Sequence, residues 1–154
     1  MENYCLSRMA ARYDELRNIC SDMNEWFVNM RDADNQAYDI RKKSTLSIRV
    51  RSPSEYSLNI LWMRTRFVKK KGEWKPRSRT INKGLGFQTP YEDLNRYAQK
   101  WEMERVWNTE KKLSEIRKEL RIMRRLVADL RLLKKTHSKM KDILGVISER
   151  GEKE

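Results

Sequence analysis

Between Arg41 and Lys83 the chain sets 14 Lys/Arg against 2 Asp/Glu, a net charge of +12 out of +13 for all 154 residues. The flanks nearly cancel. Residues 1–40 carry 4 basic and 8 acidic side chains, and residues 84–154 carry 17 and 12. Charge concentrated in one segment makes a patch, and a patch attracts a polyanion, whereas evenly spread charge only aids solubility. Tyr56, Trp62, Phe67 and Trp74 lie among these cations. Aromatics so placed build a folded platform and suit a nucleic-acid surface. Arginines on a β-ribbon can read guanine edges in the major groove or lie along phosphates, and composition does not separate the two.

Other chemistry is sparse. His137 is the one histidine, and it reads as a solvated or seam residue on a late helix. The phosphate-binding loop, the H-E-x-x-H zinc motif and the calcium loop are absent from the sequence. Gly84-Leu85-Gly86 lacks a third glycine and reads as a tight turn. Cys5 and Cys20 have no metal-like spacing and are expected to be reduced. Glu102, Glu104, Glu110, Glu115 and Glu119 interleave with Arg105, Lys111, Lys112, Arg117 and Lys118, which reads as solvated ion pairing along a helix. Arg117, Lys118, Arg121, Arg124, Arg125, Arg131, Lys134 and Lys135 form a second basic stripe, either a solvated face or an auxiliary phosphate contact. No enzyme, cofactor or metal is expected.

The elements that must position the patch follow from periodicity. Leu6, Met9, Tyr13, Leu16, Cys20, Met23, Phe27 and Met30 step by three and four, which predicts a helix over 3–31 with a narrow seam that needs a partner. Asp32-Ala33-Asp34-Asn35 reads as a loop. Residues 45–51 alternate with period two, residues 56–68 are rich in β-formers, and 74–81 return as a third strand, giving an antiparallel meander. Pro76 places that third strand at the sheet edge. A four-residue tip at 69–72 would pair Arg66 with Lys75, Arg64 with Arg77 and Trp62 with Arg79 on one face, and leave Leu61, Met63, Phe67 and Trp74 on the other. Like charges directly opposite one another destabilise a hairpin, and phosphates would neutralise them. Trp62 and Trp74 are expected to support the sheet, with stacking on bases as the alternative. Thr89, Pro90 and Glu92 read as a capping box opening a helix from about 90 to 143, bent near Lys100–Trp101. Val106, Leu113, Ile116, Leu120, Met123, Val127 and Leu130 continue the three-four spacing. The first helix can cover only about half of the second, so residues 113–147 are left to dimerise, bind a partner or stay solvated.

The fold class expected is therefore α+β: a three-stranded antiparallel meander with an N-terminal helix and a long C-terminal helix forming a coiled-coil-like hairpin. One domain spans 1–147 (helix 1–33, basic meander 45–82, helix 90–147), followed by a disordered tail over 148–154. No apolar run approaches the ~20 residues that span a bilayer. The N-terminus, with Glu2 and Asp14, does not resemble a signal peptide, so no membrane contact and a cytoplasmic location are expected.

Ser57-Leu58-Asn59-Ile60-Leu61-Trp62, Arg64-Thr65-Arg66-Phe67-Val68 and Arg77 through Gly86 resemble the central motif of MobI-type conjugative mobilisation proteins. Tyr91, Trp101-Glu102, Glu110 and Ile116-Arg117 continue the likeness, which covers roughly 45–125. The resemblance implies a relaxosome accessory protein of a mobile genetic element, which binds double-stranded DNA at the origin of transfer and helps a relaxase. A relaxase itself would need a histidine cluster for its metal. Arg64, Arg66, Lys75, Arg77 and Arg79 are expected to form the DNA-binding ladder, with Lys69, Lys70, Lys71 and Lys83 on phosphates. The partners expected are DNA, a relaxase and a second copy through the C-terminal helix. The alternatives are an RNA-binding or ribosome-associated protein using the same sheet, and a coiled-coil adaptor.

Overall fold

The computed structural model describes the backbone of residues 2–151 and the side chains of 3–144. The chain runs helix α1 (Glu2–Asn35), a 3-10 turn at Ile40–Lys42, strands β1 (Leu46–Ser54), β2 (Ser57–Lys70) and β3 (Glu73–Thr80), a short helix α2 (Tyr91–Asn95) and helix α3 (Met103–Gly151). The strands form one antiparallel sheet in the order β1-β2-β3, so the α+β meander between two helices is the fold. Pro76, which lacks an N–H, lies in the edge strand β3.

α1 and α3 pack antiparallel, because their ion pairs run in opposite directions along the two helices. Arg12 Nε lies 2.6 Å from Glu119 Oε1, and Arg105 Nη2 lies 2.6 Å from Asp34 Oδ2. The three-four seams meet where they should: Tyr13, Leu16, Cys20 and Phe27 share one buried core with Val106, Leu113, Leu120 and Met123. Burial pushes the Cys20 thiol up to about 11, so it stays protonated and inert at neutral pH. The sheet closes this core from one side. Leu46 and Ile48 of β1 and Ile60 and Trp62 of β2 share one face by their pairing, and all four are buried. Trp62 packs edge-on against Phe27, with ring centroids 5.0 Å apart.

Several boundaries differ from the sequence reading, each for a tertiary reason. Asp32–Asn35 is helical rather than a loop. Arg105 pairs with Asp34, and the Asn35 side chain bonds both the N–H and the C=O of Ser44, which holds the last turn in place. The C-terminal helix is split where a bend was expected. α2 ends at Asn95, and α3 starts at Met103. Pro90, not Thr89, stands at the α2 N-cap, and no side chain caps it. Thr89 instead donates its backbone N–H to Glu110. α3 stays helical through Ser148–Gly151, where a tail was expected, and residues 152–154 lie outside the described residues.

Glu102 sits at the start of α3, fully buried, with Oε1 accepting the Gln99 N–H at 2.8 Å and Oε2 without a partner. Burial pushes its carboxyl up, opposed by Ser44 and Gln99. An acid raised in the folded state contributes stability below its unfolded pKa of about 4.3 and loses it as pH rises. Glu102→Gln is therefore expected to melt higher than the native chain at pH 7.5, with the gap closing by pH 4. Thermal melts at the two pH values check this. A lower melting temperature at pH 7.5 would mean that the ionised carboxylate is the form the fold prefers.

Beyond Leu130 the helix leaves its partner. Val127 is the last buried side chain of α3 among the described residues, and every residue from Arg131 to Leu144 is exposed. The stretch of α3 with no buried side chain is thus 131–144 among the described residues, shorter than the 113–147 read from the sequence, because the seam stays buried as far as Val127. Among the described residues no helix is long and apolar enough to cross a membrane.

Candidate nucleic-acid interface

The basic site is a property of how β2 is shared. β1 pairs with β2 from Ser57 to Arg64, and β3 pairs with it from Met63 to Lys70. The two partners overlap only at Met63 and Arg64. Beyond that point β2 and β3 project as a two-stranded ribbon, about 20 Å long at ~3.3 Å per residue. Every residue of β3 is exposed. Ile81, buried and hydrogen-bonded to the Trp62 carbonyl at 2.8 Å, anchors the ribbon at its base.

The ribbon tip closes in two residues, Lys71 and Gly72, both with positive φ (51° and 87°). Positive φ at both central residues matches the twist of antiparallel strands, so a two-residue loop is favoured over the four-residue loop read from the sequence. The register accordingly moves by two. Arg66 stands opposite Arg77, Arg64 opposite Arg79, Val68 opposite Lys75 and Lys70 opposite Glu73. An even shift keeps every side chain on its face, so the ladder survives, with two Arg–Arg rungs where the expected register had one.

The ladder continues the core face outward. Along β2 that face reads Ile60, Trp62, Arg64, Arg66: apolar while the helices cover it, arginine once they stop. Arg64, Arg66, Val68, Arg77 and Arg79 line a small cleft of about 110 Å³. Among the described residues none of the four guanidiniums is paired with a carboxylate. Arg64 lies 4.0 Å over the ring of Tyr97, a cation–π contact that restrains its guanidinium. Tyr97 is 33 positions away in sequence, and no local pattern marks it.

The remaining sequence-predicted residues divide. Lys69, Lys70 and Lys71 are exposed at the tip. Lys75 is exposed and shares its charge with Glu73 at 3.2 Å. Lys83 lies apart from the ladder. Its ammonium folds back to donate to the Gly84 and Gly86 carbonyls, and burial holds its pKa below the usual range. The same loop therefore presents carbonyls to a cation, the opposite of the N–H cradle a phosphate needs. Trp62 supports the sheet as core, but Trp74 does not: it is 67% exposed on the ribbon's other face. Of the second basic stripe, Arg117 is buried, Lys118 pairs with Glu115 and Arg131 with Glu55.

Glu110 and Arg117 are not surface pairs. Glu110 is fully buried. Its carboxylate accepts Trp62 Nε1–H at 2.7 Å and Arg117 Nη1–H at 2.7 Å. Arg117 also donates to the Ile60 carbonyl at 3.1 Å and the Phe87 carbonyl at 2.7 Å. One charge pair thereby ties α3 to β2 and to the loop after β3, and fixes the base from which the ribbon projects. The residues that carry the family likeness, Trp62, Glu110 and Arg117, meet at this point.

Among the described residues no group of three or more His, Cys, Asp or Glu could hold a metal ion. The molecule is thus defined as a helical hairpin that carries a projecting, carboxylate-poor β-ribbon. Residues 14–131 match the MobI protein family, and the chain belongs to it, a family with an accessory role in conjugative mobilisation. The match reaches well into α1, further than the 45–125 likeness, and stops where α3 loses its cover. No curated protein and no solved structure matches the chain.

Proposed function

We propose that this protein is a non-enzymatic accessory factor that binds double-stranded DNA at an origin of transfer and assists a relaxase there. The observation that carries the reading is the ladder: two opposed Arg–Arg pairs without carboxylate partners, on a ribbon narrow enough for a major groove ~12 Å wide. Opposed like charges are unfavourable in the free protein and favourable once phosphates lie between them. Lys69, Lys70, Lys71 and Lys75 extend the positive surface toward the tip, and membership of a mobilisation family supplies the context. Residues 131–144, with Leu133, Met140 and Leu144 exposed among lysines, are the surface for a protein partner, the relaxase or a second copy.

A salt titration of binding to a labelled transfer-origin duplex, against random duplex and RNA competitors, tests this. About five phosphate contacts give a log–log slope of about −4 to −5. Tighter binding to the origin fragment than to random duplex is expected. Tighter binding to RNA, or no binding to any DNA at ~0.15 M salt, would overturn the proposal.

A further inference from the structure

The ribbon has a second face. Phe67 and Trp74 lie on the side away from the arginines, 62% and 67% exposed. Phe67 stands opposite Pro76, and Trp74 stands opposite Lys69. The two rings are therefore diagonal neighbours across the strands, at positions ~7–8 Å apart. Among the described residues neither ring contacts another aromatic. Both rings are open to solvent, so each offers a surface on which a flat base can stack. Lys69 shares that face, and the arginines lie one strand thickness behind it. A surface of two open aromatics within the chain's most basic segment fits a ligand with flat apolar faces and a phosphate backbone. Paired bases keep their faces stacked inside the duplex and offer none to this surface.

We infer that Phe67 and Trp74 form a stacking site for unpaired DNA bases, so that the ribbon grips opened duplex, with phosphates on its arginine face and an extruded base on its aromatic face. The inference rests on the DNA-binding reading and adds to it a preference for opened over paired DNA. Arg66 and Arg77 serve both forms of DNA, and the two rings serve only the opened one.

The test uses the full chain with three probes of one sequence: a paired duplex, the same duplex with a central mismatched bubble carrying 2-aminopurine, and the bubble with ribonucleotides in its unpaired strand. The DNA bubble is expected to bind about tenfold tighter than the duplex, since a stacked base contributes roughly 5- to 150-fold. The 2-aminopurine fluorescence is expected to be quenched. Phe67→Ala/Trp74→Ala is expected to bring the ratio near one and abolish quenching, with duplex affinity within about twofold. Phe67→Tyr/Trp74→Tyr, which keeps the rings, is expected to restore both. A native ratio near one, a ratio that survives in the alanine variant, or tighter binding of the ribonucleotide bubble would overturn the inference. If the duplex binds with the expected salt slope but the ratio is one, only this inference fails. If no DNA binds, the DNA-binding reading fails with it.

Discussion

Glu110→Ala is expected to lower stability by about 3–5 kcal/mol, the range for breaking a buried ion pair from one side. For a chain of this size that is a fall in melting temperature of roughly 10–15 °C. The reason is the number of groups left stranded. Without the carboxylate, the buried Arg117 loses its counter-charge, and the Trp62 indole N–H and the Thr89 backbone N–H lose their acceptor. Arg117→Ala is expected to cost a similar amount, because it strands Glu110 and two carbonyls, those of Ile60 and Phe87. Buried pairs can often be replaced together by apolar residues at no loss. Here the double replacement Glu110→Met/Arg117→Met is expected to remain destabilised, because four backbone and side-chain polar groups still lack partners. Circular-dichroism melts of the three variants decide the matter. A loss under ~1 kcal/mol for Glu110→Ala would mean that water or backbone relaxation supplies the missing partners.

That network also marks where the sequence stops being legible. Glu110 and Arg117 belong to an interleaved run of charges that reads as solvated pairing, and nothing local says that Trp62 will arrive opposite them. Period-two alternation locates the first strand and the three-four steps locate both seams, because each of these elements buries one face and its pattern records that directly. The observed register differs by two from that of a four-residue tip, because the backbone decides the loop length: a left-handed Lys71 before Gly72 closes the turn in two residues. The ladder itself was recoverable despite the slip, since parity rather than register assigns a face. Trp74 could not be placed by composition. A tryptophan at a strand's start packs or projects according to what covers its face, and Trp74 lies on the face turned away from the helices. The same holds for Lys83, whose loop folds back on its own ammonium.

Replacing Arg64, Arg66, Arg77 and Arg79 together with glutamine is expected to reduce duplex affinity by about a thousandfold at ~0.15 M salt. Each phosphate contact contributes about 0.9 to the salt slope, so four account for ~3.6 of it. Binding should therefore change most at low salt and little near ~1 M, and the slope should flatten to about −1. The same change acts in the opposite direction on the fold. Arg66 faces Arg77 directly, and opposed like charges weaken a strand pair, so Arg66→Gln/Arg77→Gln is expected to raise the melting temperature by about 1–4 °C. Arg64 is the exception, because its guanidinium stacks on Tyr97 and its loss removes a favourable contact. A ladder kept for structure would lose stability on neutralisation. A ladder kept for a polyanion gains stability and loses its ligand, a stability–function trade-off of the kind found at binding sites. Measuring melting temperature and salt slope on the same variants separates the two. Affinity that falls only in step with stability would leave the arginines as part of the fold.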